Sequence, residues 1–211
     1  MVSDKDLSNK IEELKSIIRE FIRLIGDDPD RPGLKDTPER VARMWLKELA
    51  SGYGKDPDKY LKYFYVNSNS INYVSTNRLV AILDIPVRSM CEHHLLPFYG
   101  SAHVIYVPSD EVLGLSKFAR VINVFARRLQ LQERLTEEIA DYLFRKLKTR
   151  GLLVMIEAIH TCALVRGIKE PLSMVTLTAR GELSTDVKLR EEALRIIKTR
   201  RISKNLRFLK P

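Results

Sequence analysis

Cysteine and histidine are scarce in this chain: two cysteines and four histidines among 211 residues. No apolar run approaches the roughly 18–20 residues that cross a bilayer, which excludes an ordinary transmembrane helix. The opening Met1-Val2-Ser3-Asp4-Lys5-Asp6 lacks the basic-then-apolar order of a signal peptide. A soluble, cytoplasmic protein is therefore expected, with no membrane partner. A disulfide scaffold is not expected either, because a reducing compartment keeps two such thiols apart. At 45% hydrophobic and 30% charged, the chain can bury a core without staples. Internal repeats and low-complexity segments are missing.

Acids are absent from the last stretch. Between Lys198 and Pro211 lie six cations (Lys198, Arg200, Arg201, Lys204, Arg207, Lys210), which supply six of the nine net positive charges. The remaining +3 is ordinary for a globular chain, so the basic excess belongs to a tail, most simply a solvated arm. Nucleic acid is not an expected partner, since aromatic platforms for base stacking are not evident.

Leu7, Ile11, Leu14, Ile18, Phe21, Ile22 and Ile25 recur at three and four, which predicts an amphipathic helix. Asp27 to Gly33 breaks it. Thr37-Pro38 reads as a cap followed by proline, opening a second helix toward Ala50 that Gly52 and Gly54 end. Leu79–Val87 and Ala102–Val107 read as paired strands. Gly114–Arg128, capped by Ser116, and Thr136–Lys148 read as helices. Leu152–Val165 and Ser173–Ala179 form a second strand pair, and Glu191–Lys198 a short closing helix. Hairpin, helix pair and hairpin make an α+β domain with a mostly antiparallel sheet.

What chemistry there is lies around the cysteines. Cys91-Glu92-His93-His94 puts a thiol and an imidazole three residues apart, and His160-Thr161-Cys162 repeats the pairing from a distant strand pair. Thiolate with imidazole suits zinc. Cys91, His94 and Cys162 would leave one position open, as catalytic zinc requires. His93 and His160 are equally available as a fourth ligand, and composition leaves a closed Cys2His2 site open. His103 stands apart inside a strand and reads as structural or solvent-facing.

Five separated blocks carry a resemblance. Cys91-Glu92-His93-His94-Leu95-Leu96-Pro97-Phe98, Gly114-Leu115-Ser116-Lys117, Gln130 to Thr136, and Ile156-Glu157-Ala158 with His160, Cys162, Arg166 and Gly167 resemble GTP cyclohydrolase I, as does Thr37-Pro38-Glu39-Arg40-Val41-Ala42. The resemblance runs from about Thr37 to Leu194. It implies the tunnelling fold, an antiparallel sheet with helices on one face, after an N-terminal helical segment. It divides the chain into that segment (1–72), a catalytic domain (73–198) and the basic tail (199–211). Implied chemistry is hydrolysis of GTP at guanine C8, releasing formate and giving 7,8-dihydroneopterin triphosphate. Implied assembly is a homo-oligomer, a decamer of two pentamers with active sites between subunits.

Residue by residue, the resemblance makes Cys91, His94 and Cys162 ligands of Zn2+. His160 would protonate the purine N7, His93 would serve as a second acid–base group, and Ser116 would lie near the ribose hydroxyls. Glu133 would hold the guanine edge with Gln132 beside it. Lys117, Arg120 and Arg166 would meet the triphosphate, joined by Arg40 and Arg43 from a neighbouring subunit. Three features depart from the family pattern. Leu129 replaces its usual proline, the Ser173–Thr178 strand differs from its serine-threonine run, and the tail after Lys198 has no counterpart. Two other readings stand beside this one: a sister cyclohydrolase giving a cyclic phosphate or using ferrous iron, and a zinc-stabilised RNA-binding module led by the tail.

Overall fold

The computed structural model describes residues 4–65, 79–109 and 111–207, with side chains described through Arg200. Helix α1 (Asp4–Leu24) comes first. Next is α2 (Thr37–Met44), with Pro38 in its first turn, prolonged by a wider π turn over Trp45–Leu49. The predicted second helix is thus present, but its last turn is loosened: the Ala50 amide reaches back five residues to the Trp45 carbonyl. A short 3-10 turn at Pro57–Tyr60 leads to β1 (Tyr63–Tyr65). The boundary expected between residues 72 and 73 lies outside the described residues.

Strands β2 (Val80–Cys91) and β3 (Pro97–Val107) form an antiparallel hairpin, longer at its turn than the sequence predicts. They are followed by β4 (Glu111–Leu113), α3 (Leu115–Ala126), β5 (Leu129–Gln130) and α4 (Gln132–Leu147). The chain continues through β6 (Gly151–His160), the single turn α5 (Thr161–Leu164) and β7 (Ser173–Gly181). It ends with another single turn, α6 (Glu182–Thr185), and α7 (Val187–Arg207). The main sheet runs β5-β2-β3-β6-β7, antiparallel throughout except for β5 against β2. The architecture is α+β.

Period two on the strands decides where each helix lies. Leu152, Val154, Ile156 and Ala158 of β6 point to one face, with Ala102, Val104 and Tyr106 of β3. Against them pack Phe118, Val121 and Ile122 of α3, and the stripe Leu135, Ile139, Leu143 and Leu147 of α4. Those four α4 residues recur at every fourth position and are fully buried or nearly so, each contributing ~1.5–3 kcal/mol of apolar burial. Leu153 and Met155 of β6, with Ile105 and Val107 of β3, point the other way. The expected helical layer is α3 and α4; α7 adds a second, covering one end of the opposite face through Leu189, Ala193 and Ile197.

Several sequence expectations are corrected here. α7 starts at Val187 and runs to Arg207, where a short helix from Glu191 was expected. It is therefore continuous across residues 198 and 199, and the Arg200 guanidinium donates to Asp84 at 3.1 Å. Residues 208–211 lie outside the described residues. α4 starts four residues before Thr136, because Leu135 belongs to its buried stripe and carries the helix back one turn to Gln132. Ser116 does not cap α3; Gly114 occupies the cap position, without a side-chain cap. The strand predicted to reach Val165 stops at His160, so Cys162 sits on the turn of α5.

Two details complete the frame. His103 is buried and structural, its Nδ1 accepting from the Asp84 backbone amide at 3.2 Å where β2 bulges. At Leu129, where a proline would have no amide proton to give, the backbone N–H donates to the Tyr53 hydroxyl at 3.0 Å. Beside it, a Cβ on Gly52 would come within 2.2 Å of the Val124 carbonyl, so this crossing requires glycine.

Candidate metal centre and its surroundings

The hexapeptide Cys91–Leu96 is the turn of the β2–β3 hairpin. The Cys91 amide donates to the Leu96 carbonyl at 2.9 Å, and the Leu95 amide to the Cys91 carbonyl at 2.9 Å. Leu95 takes φ +54°, the left-handed conformation that lets the chain reverse so sharply. That reversal brings His94 back over Cys91, with Sγ to Nδ1 3.8 Å. Two ligands at tetrahedral angles on one zinc ion lie about 3.6 Å apart, from Zn–S near 2.3 Å and Zn–N near 2.05 Å. The turn therefore has the spacing of a bidentate clip.

Cys162 joins from the other hairpin. β3 pairs with β6 so that Phe98 stands opposite His160, and α5 then turns Cys162 over the end of the sheet. Donor atoms of Cys91, His94 and Cys162 all lie within 4.8 Å of one another, and both thiols are free. Burial and the neighbouring Cys91 push the Cys162 thiol up, away from the thiolate form. Two sulfurs so close together are best kept anionic by a cation between them. Among the described residues this cluster has three donors, so the closed four-ligand alternative lacks its fourth. The donor set fits zinc.

His160 is half-buried, stacked on Phe98 with centroids 4.6 Å apart and planes 8° from parallel. Its Nε2 lies 2.9 Å from Gln132 Oε1. Burial lowers its pKa, with Glu133 pulling the other way. Gln132 is 1% exposed, and its side-chain nitrogen and oxygen are all engaged within the chain. Glu133, next to it in the first turn of α4, is exposed. His93 is also exposed, edge-on to His94 with ring centroids 6.1 Å apart.

Arg134 was read from the sequence only as part of a motif, yet it joins the two halves of this centre. It ion-pairs with Glu92 in the metal hairpin, donates from Nε to Gln130 Oε1 at 3.0 Å, and reaches the Leu129 carbonyl at 3.1 Å. Gln130 in turn donates to Glu138 at 2.9 Å. The clip is thereby fastened to the start of α4. Nothing in its local sequence distinguishes Arg134 from a solvated helix charge.

The cationic residues are arranged otherwise. Ser116 and Lys117 lie in the first turn of α3, Arg120 one turn on, and Arg166 just past α5. Among the described residues none of these four side chains has a hydrogen bond or ion pair. Arg40 and Arg43 pair within α2, with Asp36 at 3.1 Å and Glu39 at 2.7 Å. Arg120 also borders a cavity of about 460 Å³, together with Arg88, Arg127, Lys47 and Lys55. Arg88 and Arg127 were not singled out from the sequence. No helix among the described residues is long and apolar enough to cross a membrane.

The sequence profile of the GTP cyclohydrolase I family matches residues 14–198. A protein of Carboxydothermus hydrogenoformans named GTP cyclohydrolase 1 is 48% identical over 188 residues, covering 88% of this chain and 94% of its own. Its namesake in Clostridium kluyveri is 45% identical, covering 88% and 97%. The one in Aquifex aeolicus is 45% identical, covering 89% and 96%.

Proposed function

Because this chain belongs to the GTP cyclohydrolase I family and is such an enzyme, we propose that it opens GTP at guanine C8 with a zinc ion on Cys91, His94 and Cys162, releasing formate and forming 7,8-dihydroneopterin triphosphate. One observation carries the zinc assignment: three donors from two remote hairpins converge within 4.8 Å while both cysteines stay unpaired. When bound, such an ion supplies Lewis acidity and lowers the pKa of water.

The remaining work falls to side chains. His160, stacked on the Phe98 ring, exchanges a proton with the purine N7 and makes C8 electrophilic. His93, exposed on the metal hairpin, handles protons at the ribose and at the opened ring. Glu133 accepts from the guanine N1–H and the exocyclic amine, a bidentate pairing that a carboxylate provides. Ser116 and Lys117 in the first turn of α3, with Arg120 and Arg166, receive ribose and triphosphate. The start of α3, which has no side-chain cap, favours an anion there. Arg40 and Arg43 contribute from a neighbouring subunit of a decamer built from two pentamers. The product enters pterin and folate-type synthesis, or deazapurine synthesis, in the cytoplasm.

Purified protein incubated with zinc and GTP should release formate and a pterin that fluoresces after oxidation. Zinc-loaded protein that gives neither product refutes this reading.

A further inference from the structure

Gln132 is enclosed at the base of α4, and the direction of every hydrogen bond around it can be deduced. Its side-chain Nε2 lies 3.1 Å from the Ile156 carbonyl, 3.0 Å from the Met174 carbonyl and 3.2 Å from Thr176 Oγ1. Two of these are acceptors only. Turning the amide over would set Oε1 against both carbonyls, so the orientation is fixed. Oε1 therefore faces His160, and an amide oxygen carries no proton. The 2.9 Å contact must be His160 Nε2–H donating to Gln132 Oε1.

Two threonines support the same direction. Thr136 Oγ1 donates to the Gln132 backbone carbonyl at 2.7 Å, which uses its one proton. At 2.6 Å, Thr176 must then donate to Thr136, so its oxygen turns a lone pair to the Gln132 amide, whose two protons are shared among this hydroxyl and the two carbonyls. Helix α4, strand β6 and strand β7 thus orient one carboxamide, and that carboxamide orients one imidazole. Stacking on Phe98 blocks ring rotation. Among the described residues the other ring nitrogen, Nδ1, has no partner.

We propose that Gln132 is a positioning residue that locks His160 with Nε2–H directed into the chain, so that Nδ1 is the nitrogen that meets the substrate. This rests on the reading of His160 as the acid–base group. It moves Gln132 from a guanine contact to a residue acting through His160, because a side chain with its amide fully engaged has nothing to offer a nucleotide. The ring is held for the same reason that a hydrogen bond to one imidazole nitrogen fixes the role of the other.

The test uses the zinc-loaded, full-length enzyme with formate release from GTP as readout. Gln132→Leu should lower kcat about 10–100-fold, the range for removing a group that orients a site imidazole. KM for GTP should stay within about twofold and bound zinc should be unchanged. A raised KM at unchanged kcat makes Gln132 a substrate contact and overturns the proposal. Placing Gln132→Leu in a His160→Ala background should cost nothing further; a second full loss there marks a merely structural role. Nitrogen-15 NMR of the zinc-loaded enzyme should show the neutral His160 ring protonated at Nε2 and bare at Nδ1; a neutral ring carrying its proton on Nδ1 would sink the assignment. His160→Ala by itself separates the two readings: full activity there removes the acid–base role of His160, whatever Gln132 does.

Discussion

Cys91, His94, Cys162 and His160 are each held by packing or hydrogen bonds from within this one chain, whereas Ser116, Lys117, Arg120 and Arg166 have no side-chain partner among the described residues. In the first region a left-handed residue, a two-hairpin sheet and the Arg134 clamp fix donor atoms to within a few ångströms. In the second, long cationic side chains stand free on α3 and after α5. The contrast follows from what each must bind. An ion demands ligands at set distances and angles. A triphosphate tolerates several arrangements of charge, and flexible cations can close on it from more than one subunit.

The largest expected effect comes from breaking the rigid half at its source. Cys162→Ser should lose the metal and, with it, at least about 10³-fold of formate release, since a serine hydroxyl is not a thiolate. Metal content by elemental analysis checks it; full zinc stoichiometry in the variant contradicts the ligand assignment. Next is Arg134→Ala, which unfastens the hairpin from α4 without touching a ligand. Metal affinity or kcat should fall about 10–100-fold, as for other supports of metal ligands. An unchanged zinc affinity together with an unchanged kcat would show that the turn holds itself.

On the free-standing half, Arg166→Ala and Lys117→Ala should behave differently. Each should raise KM for GTP about tenfold with kcat changed less than threefold, the signature of uniform binding. Equal loss in kcat would mean that these cations act only in the transition state, and the contrast between the two regions would then narrow. Raising the salt concentration should weaken GTP binding in the unmodified protein while leaving zinc content alone.

How much of this could be read from the residues alone also divides along that line. Cys91, His94 and Cys162 were legible because unusual donors cluster twice in a histidine-poor chain, and the structure brings them together. The strand pairs and helices were legible from period two and period 3.6. Cys162 on a helical turn, and α4 starting at Gln132, were not. Both depend on tertiary burial, of Leu135 in one case and on the end of the sheet in the other, which overrides local preference. α7 on the opposite face was hidden because β3 and β6 are apolar on both sides, and a continuous apolar run does not say what covers which face. Gln132 and Arg134 looked like a charged helix approach. Their roles depend on partners 24 to 44 residues away in sequence.

The smallest expected effect lies where the two regions adjoin, at Leu129. Its amide donates to Tyr53, and the Gly52 amide donates to the Arg127 carbonyl at 2.8 Å, so the segment after α2 braces the loop between α3 and α4. Tyr53→Phe removes one hydroxyl from a side chain that is 61% exposed. Water can reach the amide that loses it, so the cost should be near the lower end of a hydrogen bond, about 0.5 kcal/mol. Thermal or denaturant unfolding measures it, and kcat should stay within twofold, since Arg134 still holds the Leu129 carbonyl from the other side. A kcat loss as large as that of Arg134→Ala would mean that the rigid half depends on α2 and its following turn, and that the first region reaches further into the chain than the hairpins and α4.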